Sequence, residues 1–123
     1  MIDWKTIKHF KKEEFTCKCG CSLNNISYTL VLMLEDARKL ANMPFKINSA
    51  CRCEAHNKKI GGVKDSAHVK GLAVDISIPS DGARFVILSA LLNVGFCRVL
   101  IYPTFIHVDL DLDKPNPIIK IMK

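Results

Sequence analysis

Two histidines and an aspartate stand where this chain could hold a divalent metal. His68 lies just ahead of the run Leu72-Ala73-Val74-Asp75-Ile76-Ser77-Ile78, and His107 lies in the later run Phe105 to Leu112. Imidazole nitrogens and a carboxylate oxygen suit Zn²⁺, and three protein ligands leave a fourth position for water, as a hydrolytic site requires. Each residue alone is ordinary, since single histidines and strand aspartates mostly face solvent or core. Six cysteines add a second chemistry: Cys17, Cys19, Cys21, Cys51, Cys53 and Cys97, five of them in two tight clusters. Disulfides between the clusters, free thiols and structural metal ligands all stay open. The Cys-x-Cys-x-Cys spacing is not the Cys-x-x-Cys knuckle of zinc ribbons.

The elements that must position these groups follow from periodicity. Asp3 caps a short helix reaching about Lys12, and Glu14 to Cys17 lead extended into a cysteine-rich segment, residues 13–24. Ser27 opens a helix over about 28–42, with Leu30, Met33, Leu34, Ala37 and Ala41 on one stripe. Phe45 to Asn48 alternate as a strand, and Ser49 to Lys70 lose apolar periodicity, which predicts a long functional loop. In the strand 72–78, Leu72, Val74, Ile76 and Ile78 share one face and Asp75 the other. Ser80 or Asp81 starts a helix with Ala83, Ile87, Ala90, Leu91 and Val94 buried and Gly95 as its stop. Strands 98–102 and 105–112 follow. In the second, Ile106, Val108, Leu110 and Leu112 point inward, opposite His107, Asp109 and Asp111. Helices flanking antiparallel strands make the fold α+β.

At 123 residues the chain makes one domain, 1–123, since independent cores form at about 100 to 200 residues. No window approaches the roughly 18 consecutive apolar residues of a membrane span, which excludes membrane insertion. Met1 to Lys12 lack the apolar core and small-residue cleavage site of a secretory signal. Eighteen Lys and Arg against 12 Asp and Glu give a net charge of +6, which favours an anionic partner. The lysines are dispersed and the aromatic residues form no stacking series, so nucleic acid is not the expected partner.

Ser66-Ala67-His68-Val69-Lys70-Gly71-Leu72-Ala73-Val74-Asp75-Ile76 forms a Ser-x-His-x-x-Gly-x-Ala-x-Asp-Ile run. With Phe15 to Cys21, Ile47 to Cys53, His56-Asn57, Gly61-Gly62 and Tyr102 to Asp109 in the same order, it resembles the zinc D-alanyl-D-alanine carboxypeptidases and related peptidoglycan peptidases. These share a fold with the amino-terminal signalling domain of hedgehog proteins. The resemblance covers roughly residues 10–112. It implies zinc held by His68, Asp75 and His107, and Arg52 gripping the substrate's carboxylate or carbonyl. A guanidinium suits that task because it stays charged and donates two parallel hydrogen bonds.

A zinc peptidase also needs a base that takes a proton from the water the metal acidifies. Several family branches carry an acid a few positions before the last histidine, where this chain has Pro103, Thr104, Phe105 and Ile106. Asp109, two residues after His107 on the same strand face, is therefore the expected base. A His-x-His branch offers another alignment, in which Asp109 is the ligand and His107 the catalytic histidine. Ser66 and Tyr102 are expected near substrate, Ser66 also orienting a metal ligand. Asp111 is expected at a solvated edge, His56 in a structural role and His9 on the surface of the first helix.

The function implied is zinc-dependent hydrolysis of peptidoglycan stem peptides by a monomer, as a D-Ala-D-Ala carboxypeptidase or an L-Ala-D-Glu endopeptidase. By analogy with phage lysis enzymes, the protein would be made in the cytoplasm and reach the cell wall through a separate factor. The alternative is a non-catalytic metal-binding module on the same fold.

Overall fold

Alternation along β2 (Ala73–Ser77) sets the two faces on which everything else is arranged. In the computed structural model, which describes residues 2–123, Val74 and Ile76 enter the hydrophobic core and Asp75 lines a cleft on the opposite face. β2 pairs antiparallel with β1 (Ile47–Ser49) on one side and with β4 (Phe105–Asp109) on the other. β4 in turn pairs antiparallel with β3 (Arg98–Ile101). β5 (Ile118–Ile121) closes the sheet parallel to β3, in the order β1-β2-β4-β3-β5. The register sets Asp75 opposite His107 and Ala73 opposite Asp109.

Two capped helices pack on the apolar face of the sheet and supply much of the remaining core. In α1 (Tyr28–Ala41) the Ser27 hydroxyl accepts from the Leu30 amide at 3.2 Å, and Asn42 ends the helix in the left-handed conformation. In α3 (Asp81–Asn93) the Ser80 hydroxyl accepts from the Ala83 amide at 3.1 Å. Leu30, Leu34 and Ala37 of α1 join Ile87 and Leu91 of α3 and Val74, Ile76, Ile106 and Val108 of the sheet in one cluster. Burying one such large side chain contributes about 1.5–3 kcal/mol, which fixes the sheet from its apolar side.

Several sequence expectations change. The sheet is not wholly antiparallel, because β5 adds a parallel edge. Its residues are mostly exposed and follow Pro115 and Pro117, so no local periodicity marks it, and only its pairing with β3 defines it. Residues 3–12 do not form one helix; two short 3₁₀ turns, Trp4–Thr6 and Lys12–Phe15, take their place. The Glu14 carboxylate accepts from the Lys11 amide at 2.8 Å and closes the second turn where extended chain was expected. The loop 49–70 contains α2 (Glu54–Lys59), which buries only Asn57 and so carries no apolar stripe. β4 stops at Asp109, and Leu112, expected inward, is exposed. His9 is not helical: its amide and ring bond the carboxylate of buried Glu35 at 2.7 and 3.0 Å.

Candidate metal centre

The polar face of β2 and β4 and the turn before β2 bring three donor groups together. One ligand atom each of His68, Asp75 and His107 lies within 4.8 Å of the other two, and all three residues are buried. His68 Nε2 is 3.2 Å from Asp75 Oδ1, and His107 Nδ1 is 2.9 Å from the same oxygen. Cross-strand pairing delivers Asp75 and His107. His68 arrives through a tight turn in which Val69 N–H bonds the Ser66 carbonyl and Gly71 N–H bonds the His68 carbonyl. Gly71 adopts φ +72°, and a Cβ there would drive into the Asn25 carbonyl oxygen, which is why the turn carries glycine.

The outer nitrogens decide what the inner ones can do. His68 Nδ1 lies 2.7 Å from the Ala50 carbonyl, an acceptor only, so Nδ1 carries a hydrogen and Nε2 is the nitrogen turned toward Asp75. His107 Nε2 lies 2.6 Å from Asp109 Oδ2, so that ring stands between two carboxylates with Nδ1 as the nitrogen turned toward Asp75. Two ring nitrogens and a carboxylate oxygen thus converge, an arrangement that a cation satisfies when both nitrogens are deprotonated toward it. Burial would raise the Asp75 carboxyl, but the hydrogen bonds and charges of His107 and His68 hold it well below the usual carboxylate range. Burial likewise depresses His107, and Asp109 and Asp75 overcome it to raise the imidazole. Two nitrogens and one carboxylate oxygen are the donor set of zinc sites, so these residues fit that ion.

A model of the peptidase M15 family matches residues 8–109, most of the chain. The chain belongs to the peptidase M15 family. No curated protein matches it. Membership makes the protein a metallopeptidase of a zinc-dependent family with a peptide as substrate, and the His68, Asp75 and His107 group is a candidate metal site. The α+β architecture agrees with the M15 fold.

The M15 site opens into a cleft of about 510 Å³ lined by Arg52, Ser66, Tyr102 and the three donors. Arg52 Nε donates to Ser49 Oγ and Nη1 to Asn57 Oδ1, both at 3.1 Å, while Nη2 stands 3.5 Å from Asp75 Oδ2. The guanidinium is thus aimed across the cleft beside the metal donors. Ser66 Oγ accepts from the His68 amide at 3.2 Å, so it holds the main chain of His68 and not its ring. Tyr102 stacks on Phe105 with ring centroids 4.2 Å apart and forms one wall.

Asp109, the expected base, lines the same cleft beside His107. Its carboxylate sits at the outer nitrogen of His107, accepts from Arg98 Nε and the Asp111 amide at 3.0 Å each, and is outside the convergent group of three. Asp111 is not at a solvated edge: it is buried, with Lys70 Nζ at 2.9 Å and Lys114 Nζ at 3.2 Å. His56 sits on α2, its amide bonded to Cys53 Sγ. Arg98 went unnoticed in the sequence, as did the cleft wall from β5 and the residue after it, where Ile118, Lys120 and Met122 line the cleft. A clue to Arg98 was present: the turn at Pro103 and Thr104 pairs the two flanking strands and brings its position level with Asp109.

None of the six cysteines is in a disulfide. Cys51 faces the core, where burial pushes its thiol up to about 11, and Cys53 faces the other way toward Cys17 and Cys19.

Proposed function

We propose that the protein is a zinc peptidase of peptidoglycan stem peptides, acting in cell-wall lysis or remodelling as a D-Ala-D-Ala carboxypeptidase or an L-Ala-D-Glu endopeptidase. The observation that carries this reading is the convergence of one ring nitrogen each of His68 and His107 on Asp75, beside the Arg52 guanidinium in one cleft. Zinc held by His68, Asp75 and His107 supplies Lewis-acid polarisation of the scissile carbonyl and acidifies water. Arg52 binds the substrate's carboxylate or carbonyl oxygen, kept in line by Ser49 and Asn57. Asp109 holds the proton of His107 at Nε2 and so keeps the ring's other nitrogen free for the metal. Lys114 and Lys120 at the rim and the net charge of +6 favour an anionic wall polymer. The protein acts as a monomer, with every proposed ligand and substrate contact drawn from one chain.

One observation favours a second reading, a metal-binding module without catalysis. Asp75 and Asp109 are the only carboxylates lining the cleft among the described residues, and both are engaged by histidine and arginine. Hydrolysis of purified peptidoglycan by the zinc-loaded protein, with and without chelator, separates the two by mass spectrometry of the fragments. Chelator-sensitive release of D-alanine identifies the carboxypeptidase, and new L-alanine carboxyl ends with D-glutamate amines identify the endopeptidase. Stoichiometric zinc with no fragment released would establish the module instead.

A further inference from the structure

Away from the cleft floor, four thiols form a compact group that the peptidase chemistry does not use. One sulfur each of Cys17, Cys19, Cys21 and Cys53 lies within 4.8 Å of all the others. Cys17 Sγ and Cys53 Sγ are each 3.6 Å from Cys19 Sγ. A disulfide needs about 2.05 Å, whereas a tetrahedron of sulfurs at about 2.3 Å from a zinc ion has edges of about 3.8 Å. Cys19 is equidistant from two partners, so the arrangement singles out no bridged pair. It has the size of a metal-thiolate cage.

The surrounding main chain is arranged for sulfur acceptors. The Cys53 amide donates to Cys17 Sγ at 3.4 Å, and the His56 amide donates to Cys53 Sγ at 3.3 Å. Such bonds support the charge that thiolates carry when they hold a metal. Gly20 takes φ +92°, a left-handed turn that brings Cys19 and Cys21 round to one side. Cys17 and Cys21 thus come from a segment that precedes α1, and Cys53 from the loop more than thirty residues later.

We propose that Cys17, Cys19, Cys21 and Cys53 hold a structural zinc ion that clamps the amino-terminal segment to the loop carrying Arg52. The site lacks the open position of a catalytic centre, because four thiolates complete a tetrahedron. Its mechanical consequence follows from adjacency: Arg52 is bonded through its amide to the His68 carbonyl, and its neighbour Cys53 is a ligand. Fixing Cys53 fixes the main chain from which the guanidinium reaches the cleft.

The test is a metal count on the full chain purified in reductant with zinc. The expected result is two equivalents of zinc per chain, one of them released by an organomercurial thiol reagent. His68→Ala should keep the thiol-dependent equivalent, and a Cys19→Ser/Cys21→Ser double variant should keep only the other. Substitution by Co²⁺ in the unmutated protein needs no variant to fold and should give an intense thiolate-to-metal charge-transfer band that persists in His68→Ala. A single equivalent unaffected by the mercurial, a cobalt spectrum without that band, or a disulfide linking residues 17–21 to Cys53 in the non-reduced protein would each overturn the assignment. Because the readout is metal and not hydrolysis, an inactive peptidase site would leave this result unchanged.

Discussion

His107 stands between two carboxylates, with Asp75 Oδ1 2.9 Å from its Nδ1 and Asp109 Oδ2 2.6 Å from its Nε2. In the proposed centre Asp75 would share the metal with the ring and Asp109 would orient it. Asp109→Asn should therefore weaken zinc binding by roughly 10–100-fold, the usual effect of losing such an orienting partner. Hydrolysis should return substantially at saturating zinc. Competition against a chelating dye followed by rate measurements at high zinc checks this. Unchanged affinity with hydrolysis abolished would restore Asp109 as the base.

Asp75→Ala removes the oxygen on which both imidazoles converge. Zinc at this centre and peptidase activity should disappear together. Atomic absorption on the purified variant, read beside its circular dichroism, distinguishes loss of metal from loss of fold.

Arg52→Ala should leave zinc bound and lower kcat/KM by roughly 100-fold, since a charge-assisted hydrogen bond contributes about 1.5–3 kcal/mol. Arg52→Lys should recover only part of this, because an ammonium cannot reproduce the planar fork held by Ser49 and Asn57. Steady-state rates on a stem-peptide substrate decide it, and wild-type rates in Arg52→Ala would remove the residue from the mechanism.

Gly71→Ala should destabilise the fold by about 3 kcal/mol or more. It combines left-handed strain of roughly 1–3 kcal/mol with a collision against main chain that cannot swing away. Urea denaturation measures the loss. Because Gly71 and His68 share one turn, zinc affinity should fall as well.

The Lys70, Lys114 and Asp111 group predicts an acid-sensitive clamp behind the site. Burial raises the Asp111 carboxyl, but hydrogen bonds from Lys70, the Asp113 amide and Lys114 outweigh it and hold the group below its ordinary value. A depressed carboxylate adds stability that is full above its unfolded value of about 3.9 and fades as pH falls through the lower folded value. Unfolding free energy should thus drop below about pH 4, and Asp111→Asn should flatten that slope. At pH 7 the same substitution should lower stability, by removing the carboxylate that both lysines share. Denaturant titrations at several pH values test both.

Much of the scaffold was legible because its signals are local. Ser27 and Ser80 cap helices within one turn of themselves, and the apolar stripes of α1 and α3 repeat at helical spacing. The alternation of β2 put Asp75 on the polar face without reference to any other strand. β5 and α2 gave no such signal: one depends on pairing with β3 across the chain, and the other buries a single asparagine.

The sequence by itself determined α1 and α3, the central strands, the metal-compatible side chains and, through the resemblance carried by the Ser-x-His-x-x-Gly-x-Ala-x-Asp run, the family. Only the tertiary structure decided what each group faces. Asp109 and Asp111 repeat on the same strand side as His107, yet one backs an imidazole and the other is enclosed by two lysines. Cys51 and Cys53 are two residues apart, yet one joins the core and the other meets thiols from residues 17–21. Spacing fixes the side of the chain from which a group projects. The distant segments packed there fix its protonation, its partners and its work.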